Sequence, residues 1–193
     1  MDLTQGTTEE KIGRAKKMML WFGIASMVMM FAGLTSAYVV SKSRPDWITD
    51  FQFPASLYWS TLVIVISSFT FILAKKSLVE GNRKNATFSL LATLGLGIAF
   101  VIFQLEGFSE IISSGYYFTG SESTVTTSFI YVLVLAHLVH LAVGLIVLLV
   151  VIYNHFKQRY KPGQMLGIEL GATFWHFLDV LWVYLFVFLY FFR

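Results

Sequence analysis

Five apolar runs, at residues 18–40, 54–74, 87–112, 126–153 and 171–192, constrain this chain more than anything else in it. A helix rising about 1.5 Å per residue needs about 20 residues to cross a hydrocarbon core about 30 Å thick, and each run is long enough. Lipid cannot satisfy open backbone groups, so such runs must be helical, and the alternating pattern of a membrane barrel is missing. The sequence therefore predicts an all-α integral membrane protein, a bundle of five transmembrane helices. Residues 1–17 read as a cytoplasmic N-terminal tail and residues 18–193 as a single membrane domain. Composition agrees, with 56% hydrophobic, 17% aromatic and 13% charged residues, the charged share being roughly half that of a soluble domain.

Orientation follows from the loops. Lys11, Arg14, Lys16 and Lys17 precede the first run, Lys75, Lys76, Arg83 and Lys84 follow the second, and Lys157, Arg159 and Lys161 follow the fourth. The opposite side carries only Lys42, Arg44 and Arg193. Cytoplasmic loops collect Lys and Arg, so the N-terminus is expected in the cytoplasm and the C-terminus in the periplasm. The first run exceeds a secretory h-region in length and follows 17 mostly polar residues, which predicts that it is retained. Trp47, Trp59, Tyr116, Tyr117, Tyr153 and Tyr160 fall near span ends, where amphipathic rings anchor a chain at the headgroups. The formal net charge of +3 resides in these loops, so no nucleic-acid partner is expected. Cysteine is absent, which excludes disulfides, thiolate nucleophiles and thiolate metal centres.

Ionisable groups at membrane depth are costly, and each is a candidate for function. Glu106 and Glu110 lie toward the outer end of the third run, four residues apart and so on one helix face. In the fourth run His137, His140 and Gly144 recur at a spacing that turns two imidazoles and a small residue toward one neighbour. Two histidines make an incomplete metal site, so hydrogen bonding across the bundle is the expectation. The fifth run opens at Glu169 and places His176 three residues before Asp179, close enough to pair, with Trp182 continuing the stripe. Gly33 in the first run, with Gly95 and Gly97 in the third, reads as close helix contact. The methionines Met18, Met19, Met27, Met29 and Met30 read as lipid-facing or core-filling.

The stretch from Phe174 to Trp182, F-W-H-F-L-D-V-L-W, resembles the W-H-F-x-D-x-x-W signature in the last helix of haem-copper oxidase subunit III. The G-I-E-L-G-A before it, from Gly167 to Ala172, is similar to that family's entry to the helix, and His137 to Gly144 resembles its H-x-x-H-x-x-x-G pattern. The glutamine-and-glutamate segment Gln104 to Glu110 and the F-A-G-L at Phe31 to Leu34, with Ala37 and Tyr38, resemble further helices of the short, five-helix bacterial form. Two positions depart from the pattern. Met27 follows Ser26 where the family commonly has a glutamate, and the family's Q-x-x-E spacing falls on Gly107, with Glu106 one residue earlier. One residue turns a helix by about 100°, so Glu106 is expected to serve a different neighbour.

The resemblance implies a non-catalytic accessory subunit of a respiratory terminal oxidase in the bacterial inner membrane. It implies packing on catalytic subunit I and on subunit II, with phospholipid bound in a cleft between helices. Oxygen reduction by cytochrome c or quinol, and the haems and copper, then belong to the partners; no cofactor is expected on this chain. Membership of a larger respiratory assembly is compatible with it. Within this chain Glu106, His137, His140, Glu169, His176, Asp179 and Trp182 are expected to form a structural polar network locking the fifth helix to the fourth, with Gly33 and Gly144 as helix contacts. Four histidines in total fall short of the six that two haems and a copper require. Two other classes fit the spans less well. A haem b anchor would need His140 and His176 at one depth, whereas spacing puts them about 18 Å and about 8 Å from the inner boundary. A small transporter would want broken helices and inverted repeats, which the three prolines do not suggest.

Overall fold

The computed structural model describes residues 7–45, 47, 54–120, 123–160 and 164–192. They form five helices, α1 (Thr8–Ser41), α2 (Ala55–Val79), α3 (Arg83–Ser113), α4 (Val125–Phe156) and α5 (Leu166–Phe192), each long and apolar enough to cross a membrane. No strand occurs among the described residues. Lys161 and Arg193 of the loop count lie outside them.

Two boundaries differ from the sequence reading. Helix α1 starts at Thr8, ahead of the first apolar run, and carries Lys11, Arg14, Lys16 and Lys17 on helix. A capping box explains the early start: the Thr7 hydroxyl accepts from the Glu10 amide at 3.3 Å and the Glu10 carboxylate accepts from the Thr7 amide at 3.0 Å. Likewise α5 begins at Leu166 rather than at residue 171, bringing Glu169 into its first turn. Between α2 and α3 the chain reverses at Gly81, whose φ of 76° suits glycine, and the Asn82 side chain then caps α3 by accepting from the Asn85 amide at 3.3 Å.

That short turn makes α2 and α3 an antiparallel hairpin with the most extensive helix pairing in the bundle. α5 packs against α1, α2 and α4 and is the most enclosed helix, whereas among the described residues α1 packs against α4 and α5 alone and is the most exposed. α1 and α5 run in the same direction, since Lys17 meets Glu169 near their starts and Thr35 meets Tyr184 farther along. The centre is aromatic: Trp175, Trp182, Tyr38, Phe31, Phe71 and Phe100 are almost fully buried. Trp21, Phe22, Met19, Met29, Phe69 and Phe88 point outward, the distribution expected of a bundle whose solvent is lipid.

Candidate functional site

The polar groups of the interior converge on α2. Four of its hydroxyl residues form two adjacent pairs, Ser60 with Thr61 and Ser67 with Ser68, seven residues apart. The Trp182 indole donates to Thr61 Oγ1 at 3.0 Å and the Trp175 indole to Ser67 Oγ at 3.1 Å. His176 Nδ1 shares a 2.6 Å hydrogen bond with Ser68 Oγ. Toward α3, Gln104 Nε2 donates to Ser60 Oγ at 2.9 Å, and Thr70 and Thr93 share a 2.8 Å bond between their hydroxyls. Because α2 and α5 are antiparallel, two tryptophans one heptad apart meet two hydroxyls six residues apart in reverse order. The pairs fix the register of α5 on α2, since indole N–H groups in an apolar interior must find an acceptor.

The seven residues expected to act as one network are dispersed. His176 turns to Ser68 instead of Asp179, so no direct pair forms, and the buried Asp179 carboxyl lies beside that same Ser68 hydroxyl. Trp182 bonds to α2 through Thr61. Glu169 is half-exposed and pairs with Lys17 of α1 at 3.4 Å. Glu106 is exposed, while Gln104 and Gly107 on either side of it face the bundle. The one-residue displacement noted in the sequence thus turns that carboxylate outward.

His137 and His140 do not share a neighbour either. His137 is fully buried between the rings of Phe100 and Trp182, with centroids at 6.1 and 5.2 Å, and neither ring nitrogen has a partner. His140 is bonded to its own helix through Nδ1 and the Ala136 carbonyl at 2.7 Å, and faces Phe31 of α1. Three residues leave a helical offset of about 60°, enough on α4 to pass from the α5 seam to the α1 seam. The fourth histidine, His155, bonds to Thr87 of α3 at 2.7 Å. The four imidazoles therefore face four different settings. Among the described residues no three His, Asp or Glu side chains gather as they would around a metal ion.

What joins α5 to α4 is close apolar contact. A Cβ added at Gly144 would lie 2.6 Å from Leu178 Cδ1, and one at Gly171 would lie 2.8 Å from Val151 Cγ2. Gly97 of α3 makes room for Trp175, whose Cη2 would be 2.8 Å from an added Cβ. Gly33 and Gly95 differ: among the described residues no other helix comes within 4 Å of a Cβ added at either, so neither is a close helix contact there. At the α4–α5 connection Tyr160 is buried against Gly167. Burial pushes the Tyr160 phenol above its ordinary range, and the Asn154 side chain pulls the other way.

Along one flank α1 and α5 leave space between them. An apolar groove of about 420 Å³ at mid-helix is lined by Val28, Phe31, Ala32, Phe177, Val180 and Tyr184. Nearer the start of both helices a wider polar recess is lined by Glu10, Arg14, Lys17, Gln164 and Glu169.

This is the architecture of a helix-bundle membrane protein in which indole, imidazole, amide and hydroxyl groups tie α2 to α3 and α5. A family model described as "Cytochrome c oxidase subunit III" matches residues 3–193. Cytochrome c oxidase subunit 3 of Loxodonta africana is 32% identical over 180 residues, covering 86% of this chain and 66% of that protein. The same subunit of Equus caballus is 34% identical over 134 residues, covering 68% and 48% respectively. The chain belongs to the cytochrome c oxidase subunit III family. It spans about two thirds of the length of the first of these relatives, and less of the second.

Proposed function

We propose that the chain is a non-catalytic accessory subunit of a respiratory haem-copper oxidase in a bacterial inner membrane, with its N-terminus in the cytoplasm. It packs on the catalytic subunit, and also meets subunit II, while oxygen reduction and the haems and copper belong to those partners. The observation that carries this reading is the family match over residues 3–193; the interior is compatible with it, because His137 is walled in by Phe100 and Trp182 and His176 is engaged by Ser68. Cytochrome c is the electron donor named in the relatives' descriptions, and a quinol is the alternative.

The apolar groove between α1 and α5 is the proposed phospholipid site. An acyl chain lies against Val28, Ala32, Phe177 and Val180, with its phosphate near Lys17 about 16 Å away along α1. The role of such a lipid is to fill the space between α1 and α5 beside the Thr35 and Tyr184 contact.

Purification through a tag placed after Arg193, in mild detergent, tests the reading. A large copurifying subunit with haem absorbance in the reduced-minus-oxidised spectrum is the expected result, with phospholipid retained by the isolated chain. Haem b stoichiometric with the 21.9 kDa chain alone would overturn it in favour of a haem anchor.

A further inference from the structure

A carboxyl, a hydroxyl and an imidazole stand in a row across the seam between α5 and α2. Asp179 is 3% exposed, its carboxyl lies beside the Ser68 hydroxyl, and that hydroxyl shares a 2.6 Å hydrogen bond with His176 Nδ1. His176 itself is half-buried, and its other ring nitrogen, Nε2, has no partner among the described residues. His137 is the contrast: it is fully buried, with both ring nitrogens closed off. An imidazole that served only as a lock would need no open nitrogen.

The row opens toward one membrane surface. Glu169, Thr173 and His176 recur at helical spacing on α5, all three half-buried, and Glu169 borders the polar recess at the helix starts. His176 is seven residues from Glu169, about 10 Å at the helical rise, and its side chain leans toward the N-terminus of α5, which is at that surface. Lys75 of α2 lies seven residues beyond Ser68, toward the same surface because α2 runs opposite to α5, and its charge acts on His176. On the other helices packed against α5, Lys17 of α1 pairs with Glu169, Arg14 lines the recess, and His137 and His140 of α4 face Trp182 and Phe31.

A hydroxyl has one hydrogen to give and two lone pairs to offer, so Ser68 supports two complete chains of bonds. In the first, His176 Nδ1–H donates to Ser68 and Ser68 donates to the Asp179 carboxylate, leaving Nε2 free to accept. In the second, the Asp179 carboxylic acid donates to Ser68 and Ser68 donates to Nδ1, with the imidazole hydrogen on Nε2. The two differ by one proton. A proton arriving at Nε2 converts the first into the second: Nδ1 passes its hydrogen to Ser68, Ser68 passes its own to Asp179, and the imidazole ends neutral. We propose that Asp179 is a proton-exchange site, loaded and unloaded through Ser68 and His176 from the surface at which α1 and α5 begin. The site is made of this chain's own groups and stands whichever partners the chain has.

Infrared spectroscopy of the full chain in lipid bilayers, with isotopically labelled aspartate, tests this. The carboxylic acid band that disappears in Asp179→Asn belongs to Asp179, and on transfer into heavy water it should shift as its proton exchanges. Ser68→Ala and His176→Gln, the second of which keeps a polar side chain but cannot relay a proton, should each slow that shift roughly a hundredfold, the lower end of what a positioned acid–base group contributes. His140→Phe removes an imidazole that faces α1 instead, and should exchange at the wild-type rate, which separates a relay from general loosening of the bundle. Wild-type exchange in Ser68→Ala and His176→Gln would overturn the proposal. So would the lack of an Asp179 acid band at every pH at which the chain stays folded.

Discussion

Gly95 and Gly97 stand two positions apart on α3 and respond oppositely to one methyl group. At Gly97 an added Cβ meets Trp175 Cη2 at 2.8 Å and Leu145 Cδ2 at 3.1 Å, and the Trp175 ring is rigid and 1% exposed. Overpacking a tight core costs about 1–3 kcal/mol. At Gly95 nothing is in the way, and alanine in a helix interior is favoured over glycine by about 1 kcal/mol. In the purified chain in detergent, Gly97→Ala should therefore lower the thermal unfolding midpoint and Gly95→Ala should hold or raise it. Equal midpoints for Gly97→Ala and wild type would mean that the Trp175 ring has room to move. The sequence marks Gly33, Gly95, Gly97 and Gly144 alike as small residues in apolar runs. Which of them touches a helix depends on rotation about the helix axis, and a run that is apolar all round carries no amphipathic stripe to reveal it.

The seam between α2 and α5 is a property of two elements and needs a measurement that couples them. Ser67→Ala removes the acceptor of the buried Trp175 indole, and Trp175→Phe removes the donor. A double-mutant cycle on these positions should yield a coupling of about 0.6 kcal/mol, the average for hydrogen bonds between membrane helices, with about 1.7 kcal/mol as the upper bound. The cross-pair Ser67 and Trp182, which share no bond, should be additive. Coupling absent from the first pair would show that the indole is satisfied elsewhere. The α5 half of this seam was legible in the W-H-F-x-D-x-x-W signature, but its partner was not. Ser and Thr in a membrane helix commonly bond to their own carbonyls, as Thr61 does to Leu57 at 2.8 Å, and so read as inert. The repeat of Ser60 and Thr61 at Ser67 and Ser68 was the available signal. Likewise the spacing of His176 and Asp179 permits a pair on α5, yet a hydroxyl on the neighbouring helix takes the imidazole. Local spacing states what can meet within one helix and nothing about the competitor across the seam.

For the whole molecule, the parallel course of α1 and α5 is what an odd number of alternating spans requires, and the Lys17–Glu169 pair puts the starts of both helices at one surface. Which surface that is follows from the Lys and Arg bias, a physical argument independent of the packing. The chain has no cysteine, so single cysteines report without background. Ser114 caps the end of α3 and Glu80 caps the end of α2, both exposed and on opposite sides of the bundle. In sealed right-side-out vesicles, Ser114→Cys should react with an impermeant thiol reagent and Glu80→Cys only after permeabilisation. The reverse labelling would invert the molecule. It would also move Lys17 to the periplasmic half, and with it the side on which a lipid's phosphate must be sought.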